Sequence, residues 1–192
     1  NIPINNVIQA NIVKKSIDAR DKTDIFYNYS IMVEINDKGL CDKLAKAKNV
    51  QVVDFEKQER LDGITVSRKS NKRPVIIGAG PAGLFCALSM VENGVKPIII
   101  EQGKKVEERS KDVELFRKGG ILNTMSNVQF GEGGAGTFSD GKLTTNLHSP
   151  LCRTVIEQFV RFGAPSQISY MNKPHIGTDN LIKILANIRN YI

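Results

Sequence analysis

The segment VIIGAGPAG, residues 75–83, restricts the fold of this chain more than any other stretch. Three β-branched residues run into a glycine turn, and a helical pattern of Leu84, Phe85, Leu88 and Val91 follows as far as Asn93-Gly94. Gly78 permits the tight turn, Gly80 lets main chain approach a ligand closely, and Gly83 lets the helix pack against the strand. Pro81 presets a helical φ where the amide would have no partner anyway. The free N–H groups and partial positive charge at the start of such a helix suit a pyrophosphate. A second apolar run, PIII at 97–100, closes on Glu101, near the roughly 20-residue spacing at which an acid meets an adenosine ribose. An acid there repels a 2′-phosphate, which favours FAD or NAD over NADP. The pattern is β-α-β, the start of a doubly wound parallel sheet, and the unbroken apolar run 97–100 predicts burial on both faces.

A second glycine run, FGEGGAGTFSDGKL at 130–143, carries five glycines between Gly131 and Gly141. Gly133, Gly134 and Gly136 would let main-chain amides face a phosphate or a ring without obstruction. Thr137 and Ser139 supply hydroxyls, and Lys142 a cation able to neutralise a phosphate or a reduced flavin. By themselves these glycines fit a mobile surface loop with a solvated Lys142 equally well. A simple NAD dehydrogenase would continue with regular βα units; a charged excursion over 103–127 and an additional glycine loop suit the longer FAD better.

Ahead of this region, residues 1–70 read as a small α+β domain. Two strands are expected at 8–17 and 25–35, a short amphipathic helix at 37–48 and a third strand at 50–55. The polar run 68–73 reads as a linker, and residues 71–192 as the dinucleotide-binding domain. Later helices are expected at 105–118, stopped by Gly119-Gly120, and after Ser149-Pro150 as N-cap and N1. A last one over 178–192 has Thr178 or Asp179 as cap and an inward face of Leu181, Ile184, Leu185 and Ile188. With 41% hydrophobic and 24% charged residues, the composition is that of a globular protein. The net charge of +7 is spread along the chain and interrupted by carboxylates, so nucleic-acid binding is not expected, and no apolar run reaches the roughly 20 residues of a membrane span. Cys41, Cys86 and Cys152 form no short-spaced pair, which argues against a vicinal redox disulfide and fits a reducing cytoplasm. Cys86 is read as a small packing residue. His148 and His175 lie far apart without a ligand cluster, so no metal is expected; His175, in a turn before a helix, is read chiefly as a turn residue. Arg109, Lys111 and Asp112 are read chiefly as a solvated helix face, with the alternative that Arg109 reaches the cofactor.

RPVIIGAGPAGLF, VEERSKDVELF, SNVQFGEGGAGTFSDGKLTT and NKPHIGTDNL together resemble the bacterial FAD-dependent dehydrogenase family of the glutathione-reductase-like flavoprotein class. IVKKSIDARDKTDIFYNYSIMVEI is similar to the small domain preceding the flavin domain there. The resemblance implies a Rossmann-like FAD/NAD(P)-binding fold after a small α+β domain. It places Gly78, Gly80, Pro81, Ala82, Gly83 and Glu101 on the ADP half of FAD. Gly133, Gly134, Ala135, Gly136, Thr137, Ser139 and Lys142 fall against its pyrophosphate and flavin. Two departures stand out: the acid is followed by Gln102-Gly103 in place of Arg-Gly, and family members continue well past Ile192. The chain, which starts at Asn1 rather than Met, is therefore expected to be the N-terminal portion of an oxidoreductase. Hydride or electrons would pass through flavin between a small-molecule donor such as NAD(P)H and an unknown acceptor. Two alternatives stay open: a non-catalytic FAD- or nucleotide-binding sensor or scaffold, and an NAD-dependent dehydrogenase. No residue stands out as a general acid or base.

Overall fold

A computed structural model describes residues 2–53 and 72–192. The N-terminal part is an antiparallel hairpin, β1 (Val7–Asp18) with β2 (Phe26–Ile35), followed by α1 (Lys38–Leu44). Register shifts between Val7 and Gln9 and between Ile12 and Lys14 bend β1, as bulges do. Asp37 caps α1, its carboxylate accepting from the Leu40 amide at 2.9 Å. Residues 50–53 are not a strand, and the rest of the expected third strand lies outside the described residues, as does most of the expected linker.

The second part is α/β. β3 (Val75–Ile77) and β4 (Ile98–Ile100) pair in parallel, in register from Val75 with Ile98 to Ile77 with Ile100, with α2 (Pro81–Glu92) crossing between them. α3 (Val106–Arg117), α4 (Leu151–Arg161) and α5 (Thr178–Tyr191) follow, with short 3-10 turns at Ala135–Phe138 and Ser166–Ser169. The core forms where Leu84 and Leu88 of α2 meet Leu181, Ile184, Leu185 and Ile188 of α5, with Phe162, Ala164 and Ile168 closing the side under α4. The spacing on α5 is i, i+3, i+4, i+7, the one-sided stripe its sequence predicts. Each such fully buried side chain contributes roughly 1.5–3 kcal/mol.

Burial of the β4 run on both faces does not hold. Ile99 packs on the core, whereas Ile98 and Ile100 are exposed and Ile77 is 79% exposed. The physical reason is layering: α2 lies over Ile76 and Ile99, and among the described residues no layer covers Val75, Ile77, Ile98 and Ile100. Two helix ends also differ from expectation. The Ser149 hydroxyl accepts from the Leu151 amide at 3.2 Å, yet α4 begins one residue after Pro150. α5 starts from Gly177, whose φ of 84° suits glycine, and the Thr178 hydroxyl instead donates to the Ser139 carbonyl at 2.8 Å. No helix among the described residues is long and apolar enough to cross a membrane.

Candidate functional site: a double glycine cradle

The first glycine turn is built as its sequence demands. Gly78 has φ 95°, open to glycine and costly for other residues. A Cβ on Gly83 would lie 2.0 Å from the Gly78 carbonyl oxygen and 3.3 Å from Ile76 Cγ2, so only glycine lets α2 approach β3. Gly80 is the N-cap of α2 and Pro81 its first residue; no side chain caps this end, and the first-turn amides of a helix have no partner within it.

The second run is folded directly onto the first. The Gly133 amide donates to the Ala79 carbonyl at 2.8 Å, and a Cβ on Gly134 would come within 3.0 Å of Pro81 Cδ. Gly134 has φ 67°, and Ala135 and Gly136 then enter the 3-10 turn. Beside this junction is a cavity of about 240 Å³ whose walls include Pro81, Leu84, Gly136, Thr137, Lys142 and Leu185. It is smaller than the 300–1,000 Å³ typical of a whole small-molecule site, which fits part of a long ligand. Thr137 is only 2% exposed, and its Oγ1 has no hydrogen-bond partner. A buried hydroxyl without a partner costs free energy, so this wall is chemically incomplete without a ligand atom.

The other expected residues have partners within the chain. Both Glu101 carboxylate oxygens accept main-chain amides, from Ala79 at 2.6 Å and Gly103 at 2.9 Å, so the acid ties the two turns together. The Ser139 hydroxyl donates to the Gly136 carbonyl at 2.8 Å and closes the turn. Lys142 lines the cavity but is paired with Asp140 at 3.0 Å and well exposed. That cation holds the Asp140 carboxyl below the ordinary carboxylate range, with the neighbouring His175 adding to the effect.

Sequence reasoning misplaced Arg109. It is not on a solvated face: it is 0% exposed. Its guanidinium donates to the carbonyls of Asn127 at 2.7 Å, Val128 at 2.9 Å and Glu132 at 2.7 Å, with a longer contact to Gly131. Its charge lies 4.8 Å from the centre of the Phe138 ring. Burial pulls the Arg109 pKa down, opposed by the Glu101 and Glu132 carboxylates. Glu132 was missed altogether. Its carboxylate accepts the Val106 amide at 2.7 Å, neutralising the N-terminus of α3, and takes Arg189 from α5 at 2.5 Å. Gly103 was also missed; a Cβ there would lie 2.4 Å from Gly131 Cα. The only local signal for these roles was a charge set inside a glycine run, because their partners are 18 or more residues away. Cys86 is exposed on α2 and does not pack in the core.

A larger groove of about 450 Å³ lies toward the other end of α2, lined by Ser89, Glu92, Asn93, Gln158 and Arg161. Its two charges, Glu92 and Arg161, pair with each other. No glycine cradle or orphaned hydroxyl opens onto it, so it offers a ligand less than the smaller cavity does.

Residues 73–132 match the model of an FAD binding domain, and residues 1–34 match a domain of unknown function, DUF8436. FAD is the cofactor. An uncharacterized protein of Clostridium beijerinckii is 41% identical over 192 residues, all of this chain and 36% of the relative's own length. The glutamate synthase [NADPH] small chain of Halomonas elongata is 54% identical over 33 residues, 17% of this chain and 7% of that protein. The chain thus spans about a third or less of the curated relatives it matches. The domain match supports FAD binding by the region that carries the first glycine turn.

The cradle fits the cofactor. A Cβ built on Gly78, Gly80 or Gly136 would meet nothing within 4 Å, so open space borders the main chain where a pyrophosphate would approach, and Gly136 and Thr137 both line the cavity.

Proposed function

We propose that this chain is the flavin-binding portion of an FAD-dependent oxidoreductase. It has a Rossmann-like domain that receives electrons from a reduced nicotinamide or another small donor and passes them to an acceptor. The observation that carries the reading is the Gly133-to-Ala79 hydrogen bond, which joins two glycine runs around one cavity with a partnerless buried hydroxyl. In this reading the amides at the start of α2, freed by Gly80 and Gly83, hold the pyrophosphate. Glu101 has lone pairs left for the adenosine ribose while it keeps its two amide bonds. Thr137 donates to a ribityl or phosphate oxygen, and Ala82, Gly134, Ala135 and Gly136 keep side chains out of the way. Lys142 must leave Asp140 to reach the cofactor, and its cation then favours negative charge at the cavity mouth. Bound flavin supplies two-electron hydride chemistry at its ring. Leu84, Leu185 and Ile188 exclude water from that wall of the cavity.

The visible absorption spectrum of the purified intact protein tests this. Flavin bands, together with NADH- or NADPH-driven reduction of an artificial acceptor, are expected. A colourless protein that cannot be reconstituted with FAD overturns the reading. Flavin without turnover points instead to a sensor or scaffold, and protection against unfolding by NAD without a chromophore to a nicotinamide dehydrogenase.

A further inference from the structure

A short strap, residues 170–178, joins the N-terminal hairpin to the second glycine run. At its near end the strap pairs in parallel with β1. The Lys15 amide donates to the Tyr170 carbonyl at 2.6 Å, and the Asn172 amide donates to the Lys15 carbonyl at 2.9 Å. Successive strand residues turn their polar groups to alternate edges, so Lys15 faces the strap while its neighbours face β2. At the far end the strap pairs antiparallel with the limb 141–143. Leu143 donates to the Pro174 carbonyl and Ile176 to the Gly141 carbonyl, both at 3.0 Å, with Lys142 opposite His175. Thr178 adds its bond to Ser139. Gly141 is pressed so close that a Cβ would sit 2.8 Å from the Gly177 nitrogen.

Between the two ends stands Lys173, the one non-glycine among the described residues with a left-handed backbone, φ 68°. That conformation costs a lysine about 1–2 kcal/mol, and it persists only where flanking bonds hold it. The segment the strap holds, from Ser139 to the limb 141–143, includes Ser139, Gly141, Lys142 and Leu143, four residues of the cavity wall.

We infer that the hairpin is a positioning element of the flavin pocket. Through Lys15, the 170–178 strap and the 141–143 limb, it sets where Lys142 and Leu143 stand at the cavity mouth. This rests on the flavin reading above and gives the hairpin a role in it.

The test compares Lys15→Pro with Lys15→Met in the intact protein. Proline removes the amide that the strap uses and, with its N–H side facing away from β2, leaves the hairpin ladder whole. Methionine keeps the amide and loses only the ammonium, which sits 3.9 Å from the Tyr27 ring centre. In Lys15→Pro, amide hydrogen exchange at Leu143 and Ile176 accelerates about threefold to tenfold, the effect of one hydrogen bond, while β2 amides keep their protection. FAD dissociation constants rise by a similar factor, and the visible circular dichroism of bound flavin changes. Lys15→Met stays within twofold of the parent on all three readouts. Should proline unfold the hairpin, a glycine inserted between Asn172 and Lys173 lengthens the joint without removing a bond, and the same changes are expected. Unchanged exchange at Leu143 and Ile176 in the folded variant overturns the inference. So does unchanged FAD affinity in a variant of a parent that binds FAD. A parent without FAD instead overturns the flavin reading, and the exchange measurement still decides whether the strap transmits.

Discussion

Arg109→Met removes the single cation fully buried among the described residues, around which the approach to the second glycine run is folded. Three of its hydrogen bonds are short, 2.7 Å to Asn127, 2.9 Å to Val128 and 2.7 Å to Glu132, whereas the 3.4 Å contact to Gly131 adds little. A hydrogen bond from a charged donor contributes about 1.5–3 kcal/mol, so the gross loss is roughly 5–9 kcal/mol. Two effects reduce it. Burial already opposes the charge, as its lowered pKa records, and methionine relieves that desolvation. The Asn127 and Val128 carbonyls also lie at a partly exposed rim where water can replace the donor, whereas those of Gly131 and Glu132 are buried and cannot be rescued. The net cost is about 3–5 kcal/mol, the range for removing one partner of a buried charged network. That is a large share of the 5–15 kcal/mol of a typical domain. Arg109→Lys keeps the charge but cannot span carbonyls on both sides with a compact ammonium, so it recovers less than half of the loss. Urea unfolding of the intact protein reads the cost, and limited proteolysis within 127–134 shows where it falls. An Arg109→Met variant within about 1 kcal/mol of the parent, with 127–134 still protected, refutes the reasoning.

Thr137→Val removes the partnerless hydroxyl at nearly constant volume. It is expected to raise the stability of the ligand-free protein by up to about 1–2 kcal/mol and to weaken FAD binding; equal losses of both would show that Oγ1 has a protein partner. Glu107 is held below its ordinary pKa of 4.5 first by the hydrogen bond from Arg189. Its stabilisation is therefore complete above the unfolded value and is lost as pH falls through the lower folded value. Glu107→Gln should lower the neutral-pH stability by no more than about 1 kcal/mol, since this pair is partly exposed, and the difference from the parent should vanish as pH falls below the ordinary carboxylate range.

Much of this protein was legible as local pattern. Gly78, Gly83 and Pro81 announce a strand–turn–helix because their backbone and steric requirements lie within a few residues of each other. The stripe on α5 follows from helical periodicity alone. The β1–β2 hairpin likewise comes from runs of β-branched and aromatic residues on either side of a polar turn. What the tertiary structure alone decided are the pairings across long loops. Glu101, expected at a ribose, is held by two amides, and Arg109, expected in solvent, is the buried post beneath the second run. Glu132, with no local role, caps α3 and meets α5. The outer face of β3 and β4 stayed exposed for the same reason, because burial depends on which layer arrives and not on the apolar run itself. A sequence specifies which residues want burial or a positive φ. Only the fold decides which distant carbonyl, amide or carboxylate will meet them, because that depends on where chain segments tens of residues apart come to rest.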